Sequence, residues 1–164
     1  MSCLKIEPVA PCYALGMTYG LRRASARRPT SVGATLPQRV VFVVEDDAAV
    51  LTSLRFFLET EGFAVRTYAS GPALLSSRLP GPGDCLVVDY KMADMDGFEL
   101  IDRLRALGVV SPAILVTAYP SAALAARARA RGVQRIVLKP HIEDSLATHV
   151  RAAMKEAADL RNSP

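Results

Sequence analysis

Five apolar runs of strand length recur along this chain, and between them the apolar positions fall at helical spacing, with Gly or Pro at the junctions. The runs lie at Arg39 to Val44, Ala64 to Tyr68, Asp84 to Val88, Ala113 to Thr117 and Arg135 to Leu138. This βαβ rhythm predicts an α/β fold, a doubly wound five-stranded parallel sheet flanked by five helices. The first helix is expected from about Ala48 to Thr60, with Asp47 capping its free amides and Val50, Leu54, Phe57 and Leu58 on one face, and with Gly62 ending it. Gly71 and Pro72 open a short second helix through Leu74 and Leu75, after which RLPGPGD forces a loop.

A third helix is expected from about Gly97 to Leu107, burying Phe98, Ile101 and Leu104 and stopping at Gly108. The fourth follows Pro120, is mostly Ala with Arg127, Arg129 and Arg131, and ends at Gly132; so thin an apolar face predicts loose packing. The fifth, from Ile142 to about Leu160, carries Ile142, Leu146, Val150 and Met154 along one stripe and should pack firmly. There is no internal repeat.

What changes this picture from architecture to chemistry is the residue closing each run. Glu45 and Asp46 follow the first, Asp89 the third, Thr117 closes the fourth and Lys139 follows the fifth. In an open parallel sheet, ligands sit outside the carboxyl ends of the strands, so these side chains are predicted to meet. Three clustered carboxylates raise one another's pKa unless a counter-charge is present. A divalent ion with all-oxygen ligands and open water positions, Mg²⁺, resolves that conflict. With it, a carboxylate can attack a phosphoryl group. Asp89, alone at its strand end, is the best nucleophile; Thr117 can hydrogen-bond one phosphoryl oxygen and Lys139 pair with another. Each residue alone has a plainer reading, as a helix cap, an ordinary strand residue or a solvated charge, and it is their joint occurrence that points to chemistry.

Composition bounds the alternatives. At 164 residues, 51% hydrophobic and 22% charged, the chain suits one globular domain with one core and some material to spare. No apolar stretch approaches the roughly 18 residues of a membrane span. The net charge of +4 resides in the leading segment, where Lys5, Arg22, Arg23, Arg27 and Arg28 face Glu7 alone. The rest is balanced, which argues against a nucleic-acid-binding core. Residues 1–36 are therefore set apart as a basic extension, a solvated tail or an interaction arm, and 37–164 as the domain. Pro8 and Pro11 break the early apolar stretch and argue against a signal peptide; the Arg- and Ser-rich span from Met17 to Gln38 shares the composition of transit peptides, and translation starting at Met17 or later would also account for it. Cys3, Cys12 and Cys85 form no paired motif, so neither a disulfide framework nor a zinc site is indicated and a reducing, cytoplasmic setting fits.

Taken in order, VVEDD, LVVDYKMADMDGFEL, ILVTA and VLKP resemble the receiver domains of bacterial two-component response regulators, over about Gln38 to Leu160. The resemblance implies a phosphoacceptor signalling protein, not a turnover enzyme, with Asp89 as phosphoacceptor. It implies Mg²⁺ at Glu45, Asp46, Asp89 and the backbone carbonyl of Lys91, with Thr117 and Lys139 sensing the phosphoryl group and Pro140 as a cis proline. EDD leaves open Asp46 with Asp47 as the acidic pair; the preceding VV favours Glu45 with Asp46.

The chain also departs from the family pattern. Ala93 stands where the loop usually carries Pro, His141 where an aromatic is common, and Ile136 where many receivers place a Tyr or Phe that rotates inward. Lys91 and Tyr119 occupy the variable rate-setting positions, and Tyr119 is expected to shield an acyl phosphate from water. With the fifth helix ending near Leu160, the resemblance suggests a single-domain regulator. It would be phosphorylated by a sensor histidine kinase and signal to a separate protein or a histidine phosphotransferase, without binding DNA. The fourth helix, fifth strand and fifth helix form the expected contact or homodimer face. Two rivals remain: a haloacid-dehalogenase-type phosphatase, whose nucleophile ends the first strand, and a degenerate receiver that keeps the fold without phosphorylation. A flavodoxin-like cofactor carrier would need a phosphate-cradling loop where EDD stands.

Overall fold

The computed structural model describes residues 39–139 and 143–162. The chain alternates β1 (Val40–Val44), α1 (Ala48–Thr60), β2 (Ala64–Tyr68), α2 (Gly71–Leu75), β3 (Cys85–Asp89), α3 (Gly97–Ala106), β4 (Ala113–Thr117), α4 (Ala122–Ala130), β5 (Val133–Leu138) and α5 (Glu143–Asn162). The strands form one five-stranded sheet in the order β2-β1-β3-β4-β5, every pairing parallel. The chain moves outward to β2 from β1 and then crosses back to β3, so the order reverses at β1 and β3, the position where a crevice opens in such sheets.

The sheet divides the expected single core into two apolar layers. Successive strand residues face opposite sides, so Phe42, Val44, Leu86, Val88 and Leu115 pack under α2, α3 and α4. Val41, Val43, Val87, Ile114 and Val116 pack under α1 and α5. This explains why the strand runs are apolar throughout: β1, β3 and β4 are buried at every position. Leu54 and Leu58 anchor α1, whereas Val50 and Phe57 are only partly buried. Leu146, Val150 and Met154 line α5 as their spacing predicts; Ile142 lies outside the described residues.

Several boundaries differ from expectation by one or two residues, each for a local reason. β3 runs Cys85–Asp89 instead of starting at Asp84, because the buried Asp84 carboxylate accepts from the Val40 amide at 2.9 Å and the Gly81 amide at 2.8 Å. It ties the start of β1 to the Pro- and Gly-rich loop instead of lying within the sheet. β1 accordingly begins at Val40, with Arg39 exposed. β5 begins at Val133, two residues early, because a bulge at Gln134 lets Val133 pair with Ala113 and Arg135 with Ile114. The Gln134 side chain takes the Ala113 amide at 2.9 Å. α3 closes at Ala106, one residue before the expected Leu107, which serves as its C-cap. Gly108 follows in the left-handed region at φ 81°, where a side chain would be strained. α4 buries Leu124 and Ala128 alone, as thin an attachment as its sequence suggests.

Candidate functional site

The first acidic residues sit where β1 gives way to α1. Asp47, exposed, turns its carboxylate onto the Ala49 and Val50 amides at 2.8 and 3.0 Å, and those bonds hold its pKa below the ordinary range. That commits Asp47 to capping α1 and leaves its neighbours to face the crevice. Glu45 is buried and Asp46 exposed. With Asp89, the last residue of β3, they form a cluster in which one carboxylate oxygen from each lies within 4.8 Å of the others.

Lys139, immediately after β5, enters this cluster from the far side of the sheet. Its backbone amide continues the ladder to the Thr117 carbonyl at 2.9 Å, which fixes where the side chain starts. Its ammonium contacts Glu45 Oε2 at 2.7 Å and Asp89 Oδ1 at 2.8 Å. Asp89 Oδ2 accepts from the Lys91 amide at 3.0 Å, so both its oxygens are held. Burial would lower the Lys139 pKa, but Asp89 and Glu45 outweigh it and the net shift is upward. Glu45 is raised, chiefly because it is buried and further by Asp89, with the Lys139 bond offsetting part of this.

Thr117 is buried at the end of β4, and its hydroxyl oxygen accepts from the Tyr119 amide at 3.1 Å, leaving its proton to be donated elsewhere. The Tyr119 ring is 73% exposed, so shielding an adduct would require it to fold down from this position. Pro140 and His141 lie outside the described residues.

Three contacts around the cluster were not legible in advance. Ala93, standing where a proline was expected, donates its amide to Asp46 Oδ2 at 2.9 Å, a bond that proline could not make. Gly97 at the start of α3 presses so closely on the end of β3 that a Cβ there would lie 2.7 Å from the Asp89 carbonyl. Tyr90, next to Asp89, meets Phe98 edge-on with ring centroids 5.3 Å apart.

The donor set fits a hard divalent cation. Three carboxylates face a single ammonium, their atoms are all oxygen, and Asp46 remains open to water. A five-stranded parallel sheet with an acidic cluster, a Thr and a Lys gathered at its carboxyl edge defines the class, an α/β module with one charged site at the strand ends. The response regulator receiver domain model matches residues 41–151, and the chain belongs to that family.

It is 33% identical over 124 residues to the transcriptional regulatory protein FixJ of Bradyrhizobium diazoefficiens, covering 75% of this chain and 60% of that protein. Among solved structures it is similar to the response regulator StyR, at TM-score 0.69 and 32% identity, covering 76% of this chain and 63% of that one. It is also similar to FixJ-N, at TM-score 0.62 and 30% identity, covering 74% of this chain and 96% of that one. The chain thus spans about 60% of the length of the FixJ relative. Among the described residues, no helix is long and apolar enough to cross a membrane.

Proposed function

We propose that this chain is a phosphoacceptor module in which Asp89 receives a phosphoryl group from a sensor histidine kinase. The observation that carries this reading is the Lys139 ammonium bridging Glu45 and Asp89 at 2.7 and 2.8 Å inside a cluster of three carboxylates. An Asp89 carboxylate oxygen attacks phosphorus, the P–O bond of an acyl phosphate forms, and the P–N bond to the donor imidazole breaks with its electron pair returning to nitrogen. Glu45, Asp46, Asp89 and the Lys91 carbonyl would hold Mg²⁺, whose charge lowers the repulsion between carboxylate and phosphoryl oxygens.

The protein's own groups do the rest. The Thr117 hydroxyl donates to one phosphoryl oxygen and the Lys139 ammonium pairs with another, exchanging its contact with Asp89 for one with the new anion. Burial of Asp89 and Thr117 limits the water that can hydrolyse the product. The phosphorylated form then signals to a downstream protein or a histidine phosphotransferase in the cytoplasm.

The test is incubation with acetyl phosphate and Mg²⁺ read by intact mass. Wild type is expected to gain one phosphoryl group, and Asp89→Asn or added chelator to prevent it. Equal labelling of wild type and Asp89→Asn would overturn the assignment.

A further inference from the structure

α4 is poorly seated by apolar contacts. Leu124 and Ala128 are its buried residues, and an open groove runs between it and β5, lined by Ala125, Val133 and Ile136. What it does have is a set of charged contacts to α3. The Arg127 guanidinium lies over the Phe98 ring at 4.6 Å from its centroid, and the Arg131 guanidinium at 5.0 Å from the same ring. Arg131 Nε meets both Asp102 oxygens at 3.0 Å, and Arg131 also donates to the Arg127 carbonyl at 3.2 Å. Arg127 donates to the Tyr90 hydroxyl at 3.3 Å and lies 3.8 Å from Asp96, the N-cap of α3.

These contacts reach back to the acceptor without a gap. Phe98 is buried against Tyr90, Tyr90 follows Asp89 in the chain, and its amide donates to the Val116 carbonyl at 2.8 Å. Gly97 has no room for a side chain against Asp89, so α3 follows that strand end closely. At its other end α4 is reached from Thr117 through the short segment carrying Tyr119 and the N-cap Ser121. The helix thus follows, at its start, the segment whose Tyr119 amide donates to the Thr117 hydroxyl, and is held in its second half to α3.

We propose that Arg127 and Arg131 form an electrostatic latch that fixes α4 on Phe98, with Tyr90 linking the latch to the acceptor strand. The latch, and not apolar packing, is what holds the second half of α4 in place. Its link to acceptor occupancy rests on the phosphoacceptor reading above; the seating of α4 does not.

Backbone hydrogen exchange of the full chain, followed by mass spectrometry, tests both parts. Without a phosphodonor, Arg127→Ala/Arg131→Ala is expected to speed exchange across α4 roughly tenfold, the size of two partly exposed cation–ring contacts with their ion pairs. Raised salt should loosen wild-type α4 in the same direction. Arg127→Lys/Arg131→Lys, which keeps a cation over the ring, should recover part of the protection, and Arg129→Ala should change nothing. Unchanged α4 exchange in the double alanine variant would overturn the latch, as would an equal loss of protection in α1 and α5.

With acetyl phosphate, wild type should shift its α4 exchange toward that of the double variant. An adduct forming with no such shift would overturn the link to the acceptor. No adduct in any variant would instead remove the phosphoacceptor reading and its link, while the first comparison still decides the latch.

Discussion

At Glu45, burial and charge pull in opposite directions. Burial raises its pKa most, the Lys139 bond lowers it, and Asp89 raises it again, leaving a net upward shift from 4.5. A folded-state pKa above the unfolded one contributes stability in full below about the unfolded value, and loses it as pH rises through the raised folded value. Burying ionised Glu45 is therefore a cost at neutral pH, offset in part by the Lys139 ammonium. Glu45→Gln removes that cost together with the ion pair to Lys139, and is expected to reduce the rise in melting temperature on adding Mg²⁺, which calorimetry checks. An equal Mg²⁺-dependent rise in both proteins would contradict a role for Glu45 in holding the ion. Lys139, with its pKa raised from 10.5, carries stability that is present through the neutral range and is lost only as pH climbs past its raised value. Cys85, pushed up to about 12 by burial, should resist alkylation until the protein unfolds, which peptide mapping after iodoacetamide can follow.

Among the elements, the two ends of β1 and β3 are held by different means. At the amino end, Asp84 accepts from Val40 and Gly81. Asp84→Ala would leave the Val40 amide buried without its partner, at a cost of about 2 kcal/mol. Denaturant melts should show that loss with the phosphorylation rate of the remaining folded protein unchanged, since the substitution lies at the far end of the sheet. At the carboxyl end, α3 is packed on the end of β3 through Gly97. Gly97→Ala puts a methyl 2.7 Å from the Asp89 carbonyl and 2.9 Å from Leu115, so backbone must move. A loss of about 1–3 kcal/mol together with slower phosphorylation is expected. Full stability and full rate in that variant would mean that β3 and α3 are less tightly coupled than the packing requires.

Across the whole molecule, the sequence carried the β/α alternation and the strand-end chemistry because both are periodic, local signals. Glu45, Asp46, Asp89, Thr117 and Lys139 each close or follow an apolar run, and a parallel sheet then has one edge on which to place them. The contacts that escaped it depend on tertiary neighbours. Gln134 marks a bulge only because Ala113 lies opposite, and Asp84 reads as a strand residue until Val40 is known to be beside it. The arginines of α4 leave it only a thin apolar face in the sequence, and that two of them lie over Phe98 is visible only in the fold. Ala93 reads in the sequence only as a departure from the usual Pro, and its amide proves to hold Asp46.

The central claim is that Asp89, poised against Lys139, is where phosphorus bonds. Borohydride reduces an acyl phosphate at its carbonyl and leaves a permanent mark on the carbon that bore it. After treatment with acetyl phosphate and Mg²⁺, fragment sequencing should find that mark at position 89 alone; a mark at Glu45 or Asp46 instead, or none in protein that has gained the phosphoryl mass, would contradict it.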